Sequence, residues 1–148
     1  MILRDFKAFP RRGRVIGIDW GAARTGLAVS SEDREFIFTR PVLPSRDVSA
    51  ALQAIVALAR DEDAVGFVFG LPLRGDGSES ETTAMARAAA EKLSQLTDLP
   101  ICMLDETLTS FEAADINNIK TRRAAREKLD SESARVLLEN AIAIINRI

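Results

Sequence analysis

The chain has 148 residues, of which 47% are hydrophobic and 28% are charged, and its formal net charge at pH 7 is −2. This length and hydrophobic content suit one compact domain, and the charge argues against a protein that coats nucleic acid through overall positive charge. Histidine is absent, so Ser-His-Asp catalysis, Cys-His catalysis and histidine-ligated zinc are excluded, and acid–base chemistry falls to carboxylates, lysine or metal-bound water.

Residues 1–13 are predicted to be an N-terminal extension, and residues 14–148 a single domain. Charged side chains near the start leave no apolar stretch long enough for a signal sequence, and no run elsewhere is long enough to span a bilayer. The lone cysteine, Cys102, lies in an apolar run, where a small core residue is expected. We expect a soluble, cytoplasmic protein with no membrane partner.

The first elements are predicted to be strands. Apolar runs at 14–19 and 25–30, separated by a turn that contains glycine, indicate a β-hairpin. A third run at 35–39 extends the meander, and Pro41 and Pro44 are expected to end its strand character.

A helix is predicted next, capped by Ser45 or Asp47, because the apolar positions that follow recur at a helical period. The continuous apolar run at 65–70 has the composition of a central strand that is covered on both faces. A loop over 71–78 and an alanine-rich helix over 80–96 are predicted to follow.

A second buried strand is predicted at 101–104, and a capping signature predicts a helix over 110–119. The last helix is predicted from apolar positions that recur at three- and four-residue intervals between Ala134 and Ile148. The fold class is therefore α/β, with a central mixed five-stranded sheet, three antiparallel strands followed by parallel ones, and helices on both faces.

Three carboxylates fall where predicted elements begin or end: Asp19, Glu106 and Asp130. Sites in open α/β sheets collect at the carboxyl ends of parallel strands, so Asp19 and Glu106 are neighbours if their strands lie side by side. Acidic groups that folding brings together repel one another unless Mg²⁺ or Mn²⁺ neutralises them. Two such ions, roughly 4 Å apart, can activate water for phosphodiester hydrolysis and stabilise the departing oxygen.

Each acid also has a simpler interpretation. Asp19 precedes Gly21 closely and could begin a turn, and Asp130 could be the N-cap of the last helix, in or just before its first turn. Glu106 could be a solvated charge at a strand end. Trp20 could stack on a base or be buried under the sheet edge.

Four ordered blocks closely resemble the motifs of the YqgF/RuvX family; they are residues 17–29, 70–73 with 76–78, 105–110 and 130–134. The resemblance implies a ribonuclease H-like fold related to the RuvC resolvases and a nuclease that acts on pre-16S rRNA, earlier described as a Holliday junction resolvase. It makes Asp19, Glu106 and Asp130 the metal-binding catalytic acids. Two departures are Thr107, where the family usually has arginine, and Ser31, near which it usually has aspartate.

Candidate substrate-binding residues complete the predicted site. Arg24 could hold a phosphate or orient an acid, and glycines near residue 75 could let backbone approach a ligand. Basic residues of the 120–128 segment could bind phosphates. The full set is Arg24, Gly70, Pro72, Arg74, Lys120, Arg122 and Arg123. Arg24 could instead be a solvated hairpin charge, the loop up to residue 78 an ordinary strand-to-helix connection, and the 120–128 segment a solvated helix end.

The leading hypothesis is a metal-dependent nuclease, with Mg²⁺ or Mn²⁺ and two ions expected, that processes the 5′ end of precursor 16S rRNA in ribosome biogenesis. A DNA four-way junction is the alternative substrate. A noncatalytic nucleic-acid-binding module, and a phosphate-binding fragment of the actin and sugar-kinase type, are other possible functions. We expect a monomer or a homodimer.

Overall fold

The computed structural model describes the backbone of residues 1–107 and 119–148, and the side chains of residues 1–106 and 130–148. Its elements are β1 (Ile2–Leu3), β2 (Val15–Asp19), β3 (Arg24–Ser30), β4 (Ile37–Pro44), α1 (Val48–Asp61), β5 (Gly66–Leu73), α2 (Glu81–Leu96), β6 (Ile101–Thr107) and α3 (Ile119–Asn146). None of the helices in these residues is both long and apolar enough to cross a membrane. The helix predicted over 110–119 lies outside the described residues, apart from its last position.

The described strands form one mixed sheet in the order β1-β6-β5-β2-β3-β4. Strands β1, β6, β5 and β2 pair in parallel, whereas β3 is antiparallel to both β2 and β4. The predicted mixed α/β sheet is confirmed, but it has six strands because β1 adds to the edge of β6.

The N-terminal segment, predicted as an extension, contributes to the core. Besides strand β1, it supplies Phe6 and Phe9, which are buried and meet edge to face with ring centroids 5.7 Å apart. Two aromatic rings can bury a large apolar area, and these two pack in the same hydrophobic cluster as the apolar residues of α3.

Strand β4 continues through both prolines that were expected to end it. Pro41 lies within it, and Pro44 pairs with Arg24 of β3. The prediction was wrong because β4 is an edge strand, where a missing N–H group on the outer side costs no ladder hydrogen bond.

Two hydrophobic cores cover the two faces of the sheet. Helices α1 and α2 pack on one face against residues such as Ile18 and Phe69. Helix α3 packs on the other face against Val15, Val68 and Cys102. Helices on both faces are as predicted, and burial raises the pKa of Cys102 to about 11, as expected for a thiol in the core.

The caps of two helices follow from local sequence. Asp47 caps α1 through its side chain, which accepts from the N–H of Ala50 at 3.1 Å. Ser80 and Thr83 form a capping box at the start of α2, and the buried hydroxyl of Thr83 donates to the carbonyl oxygen of Pro72 at the end of β5. The bond to Pro72 joins the start of α2 to the carboxyl ends of the parallel strands, where Asp19 and Glu106 lie.

Helix α3 begins at Ile119, well before Asp130. The interpretation of Asp130 as an N-cap, in or just before the first turn, is therefore wrong. The basic segment 120–128 also lies within α3.

Candidate active site

The ends of β2 and β6 place two of the acids on the same face of the sheet. Asp19 is the last residue of β2, and Glu106 is the penultimate residue of β6. Side chains alternate between faces along a strand. Because Leu104 packs in the core under α3, Glu106 also faces α3, whereas Asp105 is exposed and faces the other way.

Strands β2 and β6 are not adjacent, because β5 lies between them. The condition that their strands lie side by side is therefore not met. Gly70 of β5 lies between the two acids and has no side chain to separate them. A Cβ at this position would lie 3.5 Å from both Glu106 Oε2 and the carbonyl oxygen of Ile18. The two carboxylates thus approach across a residue that has no side chain.

Helix α3 brings Asp130 to the same place by contacting strand β3 directly. Gly26 pairs with Asp19 across the β2–β3 hairpin, and a Cβ at Gly26 would lie 1.9 Å from the carbonyl oxygen of Asp130. A second close contact lies further along the helix, where a Cβ at Gly17 would be 3.0 Å from the carbonyl oxygen of Ala134. Only glycine permits the helix to lie this near to the strand at Gly26.

The acids interact electrostatically. Burial, and secondly the charge of Asp130, raises the pKa of Asp19 to about 6. Burial, and secondly the charge of Asp19, raises the pKa of Glu106 to about 7. A nearby positive charge would favour the ionised forms, so a cation at this edge would be stabilising.

Arg24 supplies one positive charge to the site. Its Nε donates to Asp130 Oδ2 at 3.0 Å, and the two side chains are 33% and 28% exposed. The structure thus pairs Arg24 with Asp130 and not with Asp19, beside which it was expected, and its two predicted roles, phosphate binding and orientation of an acid, stay predictions.

The donor chemistry suits a divalent cation, because three partly buried carboxylates face one region and two of them have raised pKa values. Within the part of the chain that is described, however, no three His, Cys, Asp or Glu side chains are grouped closely enough to hold one ion. The assignment of Asp19, Glu106 and Asp130 as metal ligands therefore stays a prediction, and Asp130 would have to change its contacts to complete it.

The predicted substrate-binding residues have different positions. Gly70 and Pro72 are buried within β5, so the predicted loop begins only at Arg74, which is exposed. Gly75 and Gly77 lie in open surroundings. Lys120, Arg122 and Arg123 belong to α3, but their side chains are outside the described residues.

A cleft of about 1120 Å³ opens beside Arg24, the ion-pair partner of Asp130, although none of the three acids lines it. Arg24 and Ser131 lie on its wall near Asp130, and Arg46 and Pro44 lie on the wall formed by β4 and the start of α1. Neither Arg46 nor Ser131 was singled out from the sequence. An isolated arginine in a short connection belongs to no motif, and only the packing of α3 against β4 brings the two walls together.

Trp20 is 5% exposed and stacks on Phe69 with ring centroids 6.2 Å apart. Of its two predicted roles, burial is the one observed. The ring supports the end of β2 from the face opposite Asp19 and does not offer a platform for a base.

Comparison with known proteins identifies the family of the chain. A model of the RuvX family, described as Holliday junction resolvase, matches residues 13–143. The chain belongs to the RuvX family. The resemblance found in the motifs is confirmed, and the mixed sheet with helices on both faces is the ribonuclease H-like architecture expected of RuvX proteins.

Several relatives of this RuvX protein carry the name "Putative pre-16S rRNA nuclease". One from Rhodopseudomonas palustris strain BisB5 is 35% identical over 136 residues, which are 90% of this chain and 85% of the relative. One from Nitrobacter hamburgensis is 35% identical over 136 residues, 90% of this chain and 83% of the relative. One from Maridesulfovibrio salexigens is 34% identical over 134 residues, 88% of this chain and 98% of the relative.

Proposed function

We propose that this RuvX protein is a metal-dependent nuclease that hydrolyses phosphodiester bonds in structured nucleic acid, with the 5′ end of precursor 16S rRNA as its substrate. The observation that supports the proposal is that Asp19 and Glu106 lie at the ends of β2 and β6 on the face that α3 covers, both with raised pKa values. The charge of Asp130, on α3, contributes to the shift at Asp19. The names of the relatives support rRNA as the substrate.

In this proposal Asp19, Glu106 and Asp130 hold Mg²⁺ or Mn²⁺, two ions being expected. The ions would supply activation of water and stabilisation of the leaving oxygen. The chain's own contribution is to hold the acids in place: β2 and β6 fix Asp19 and Glu106, and the contact of α3 with Gly26 fixes Asp130. The adjoining cleft, with Arg24 and Arg46 on its walls, accepts the strand that flanks the scissile bond.

The test is to incubate pure protein with labelled precursor 16S rRNA and with a four-way DNA junction, in Mn²⁺ and in EDTA. Cleavage of the rRNA that requires Mn²⁺ and is lost in Glu106→Gln supports the proposal. Asp105→Asn is the matched control, because its carboxylate is adjacent in sequence but exposed on the opposite face. Cleavage that survives in Glu106→Gln, or that continues in EDTA, would contradict the proposed site.

A DNA junction nuclease is the second candidate, and the description of the matching family favours it. Cutting of the junction, with no cleavage of the rRNA, would select this alternative. Tight binding of either nucleic acid without cleavage would instead indicate the noncatalytic module, for which Thr107 in place of the usual arginine is the motivation. A cytoplasmic location and a monomer or homodimer stay predictions.

A further inference from the structure

The ion pair between Arg24 and Asp130 engages a carboxylate that the proposed cation would also use. Arg24 Nε lies 3.0 Å from Asp130 Oδ2. A cation that binds either oxygen of this carboxylate would lie close to the guanidinium, and the two positive charges would repel each other. Arg24 and a cation therefore compete for Asp130.

The backbone around this pair leaves little room for a helix movement. Asp130 is held by its main-chain contact with Gly26, and Arg24 lies two residues before Gly26 on the same strand, paired with Pro44. A change of partner at Asp130 must come from the side chains. The Arg24 side chain also lines the adjoining cleft, so a guanidinium that leaves Asp130 can turn into that space.

We propose that Arg24 is an exchangeable counter-ion, which neutralises Asp130 when no cation is bound and turns to a phosphate of the substrate strand in the cleft when Asp130 takes a cation. The positive charge beside Asp130 is thus replaced and not lost. The guanidinium is suited to both partners, because its planar donors match the geometry of carboxylate and of phosphate. This proposal rests on the metal-dependent function proposed above.

The test measures Mn²⁺ affinity by electron paramagnetic resonance together with KM for precursor rRNA. Arg24→Gln is expected to bind Mn²⁺ roughly three- to fivefold more tightly, since a partly exposed ion pair is a modest competitor. Its KM should rise over the same range while the fold, checked by circular dichroism, is kept. Opposite movement of the two quantities is the signature of exchange, because a merely structural role would weaken both.

Arg14→Gln is the matched control. Arg14 forms an ion pair with Glu62 at 3.1 Å, with side chains 39% and 19% exposed, and it lies just before β2, at the opposite end of that strand from Asp19. The same charge is removed there, so Mn²⁺ affinity is expected to change less than about twofold, as for a charge beyond the Debye length. The gain in Arg24→Gln should also vanish when Asp130→Asn is added.

Arg24→Lys gives a second variant that keeps the charge. Lysine can still neutralise Asp130, so Mn²⁺ affinity should stay within about twofold of wild type, but KM should rise because bidentate phosphate contact is lost. An unchanged KM in this variant would overturn the exchange, as would a Mn²⁺ gain in Arg24→Gln that persists with Asp130→Asn. If neither wild type nor Arg24→Gln binds Mn²⁺, the metal-dependent function and the exchange of Arg24 are both refuted. If wild type binds Mn²⁺ and cleaves but Arg24→Gln binds Mn²⁺ no more tightly, only the exchange of Arg24 is refuted.

Discussion

Gly26→Ala tests whether α3 must touch β3 for the acids to meet. The new Cβ would lie 1.9 Å from the carbonyl oxygen of Asp130 and 2.6 Å from its carbonyl carbon. Both atoms belong to the backbone, so no change of rotamer relieves the contact. Helix α3 must retreat until the separation reaches at least 3.0 Å, below which real Cβ contacts are essentially never found.

The expected cost follows from this displacement. Overpacking typically costs about 1–3 kcal/mol, and a contact between backbones belongs at the upper end, so we expect the free energy of unfolding to fall by about 3 kcal/mol. For a chain of this length that lowers Tm by roughly 6–12 °C. Because a misplacement of about 1 Å at a catalytic group can cost roughly 100-fold, cleavage should fall by about that factor even where the variant is folded.

Urea unfolding and rRNA cleavage well below Tm measure the two effects. Gly75→Ala is the control, since nothing lies within 4 Å of a Cβ at that position. Gly17→Ala should give a smaller loss than Gly26→Ala, because its Cβ would be 3.0 Å from the carbonyl oxygen of Ala134. If Gly26→Ala is as stable and as active as Gly75→Ala, the contact between α3 and β3 does not position the site.

Asp19→Asn should abolish cleavage with the fold retained. It should also lower the pKa of Glu106 from about 7, because the charge of Asp19 is removed. Carboxyl NMR measures this pKa, and an unmoved value would show that the two acids do not interact. Folding raises the pKa of Asp19 from 3.8 to about 6 and that of Glu106 from 4.5 to about 7. The protonated forms of these acids therefore stabilise the folded state at low pH, and this contribution to the free energy of unfolding is lost as the pH rises from about 4 to 7. Urea unfolding without divalent ions should show this decline, with a smaller slope in Asp19→Asn than in wild type. Thr83→Val should lower the free energy of unfolding by about 1–2 kcal/mol, because it removes a capping interaction and the hydrogen bond to Pro72. Thr82→Val, at an exposed position, should change it little. Equal stabilities of the two variants would refute the role of the cap.

Much of the fold could be predicted from local patterns. The run at 65–70 lacks polar alternation because β5 is covered on both faces, and the start of α2 is signalled by Ser80. Helix α3 has its apolar stripe between Ala134 and Ile145, where it packs on the sheet. These features depend on residues close together in sequence, so periodicity and capping reveal them.

Other features depend on which strand becomes an edge and which lies in the centre. Pro41 reads as a strand terminator until β4 is known to lie at the edge of the sheet. Strand β1 is too short to give a periodic signal, and only its pairing with β6 identifies it. Asp130 resembles a helix cap because the basic residues before it carry no apolar stripe that would reveal the earlier start of α3.

The sequence by itself determined the family motifs, the order of the elements from β2 to β6, and the positions of Asp19 and Glu106 at strand ends, because each is written in neighbouring residues. Tertiary structure alone decided that β5 separates the strands of Asp19 and Glu106. It also decided that α3 contacts the β2–β3 hairpin at Gly26, which places Asp130 beside it. It also decided that Arg24 forms an ion pair with Asp130. These contacts join residues far apart in the chain, and their distances are fixed by packing, on which no local pattern reports.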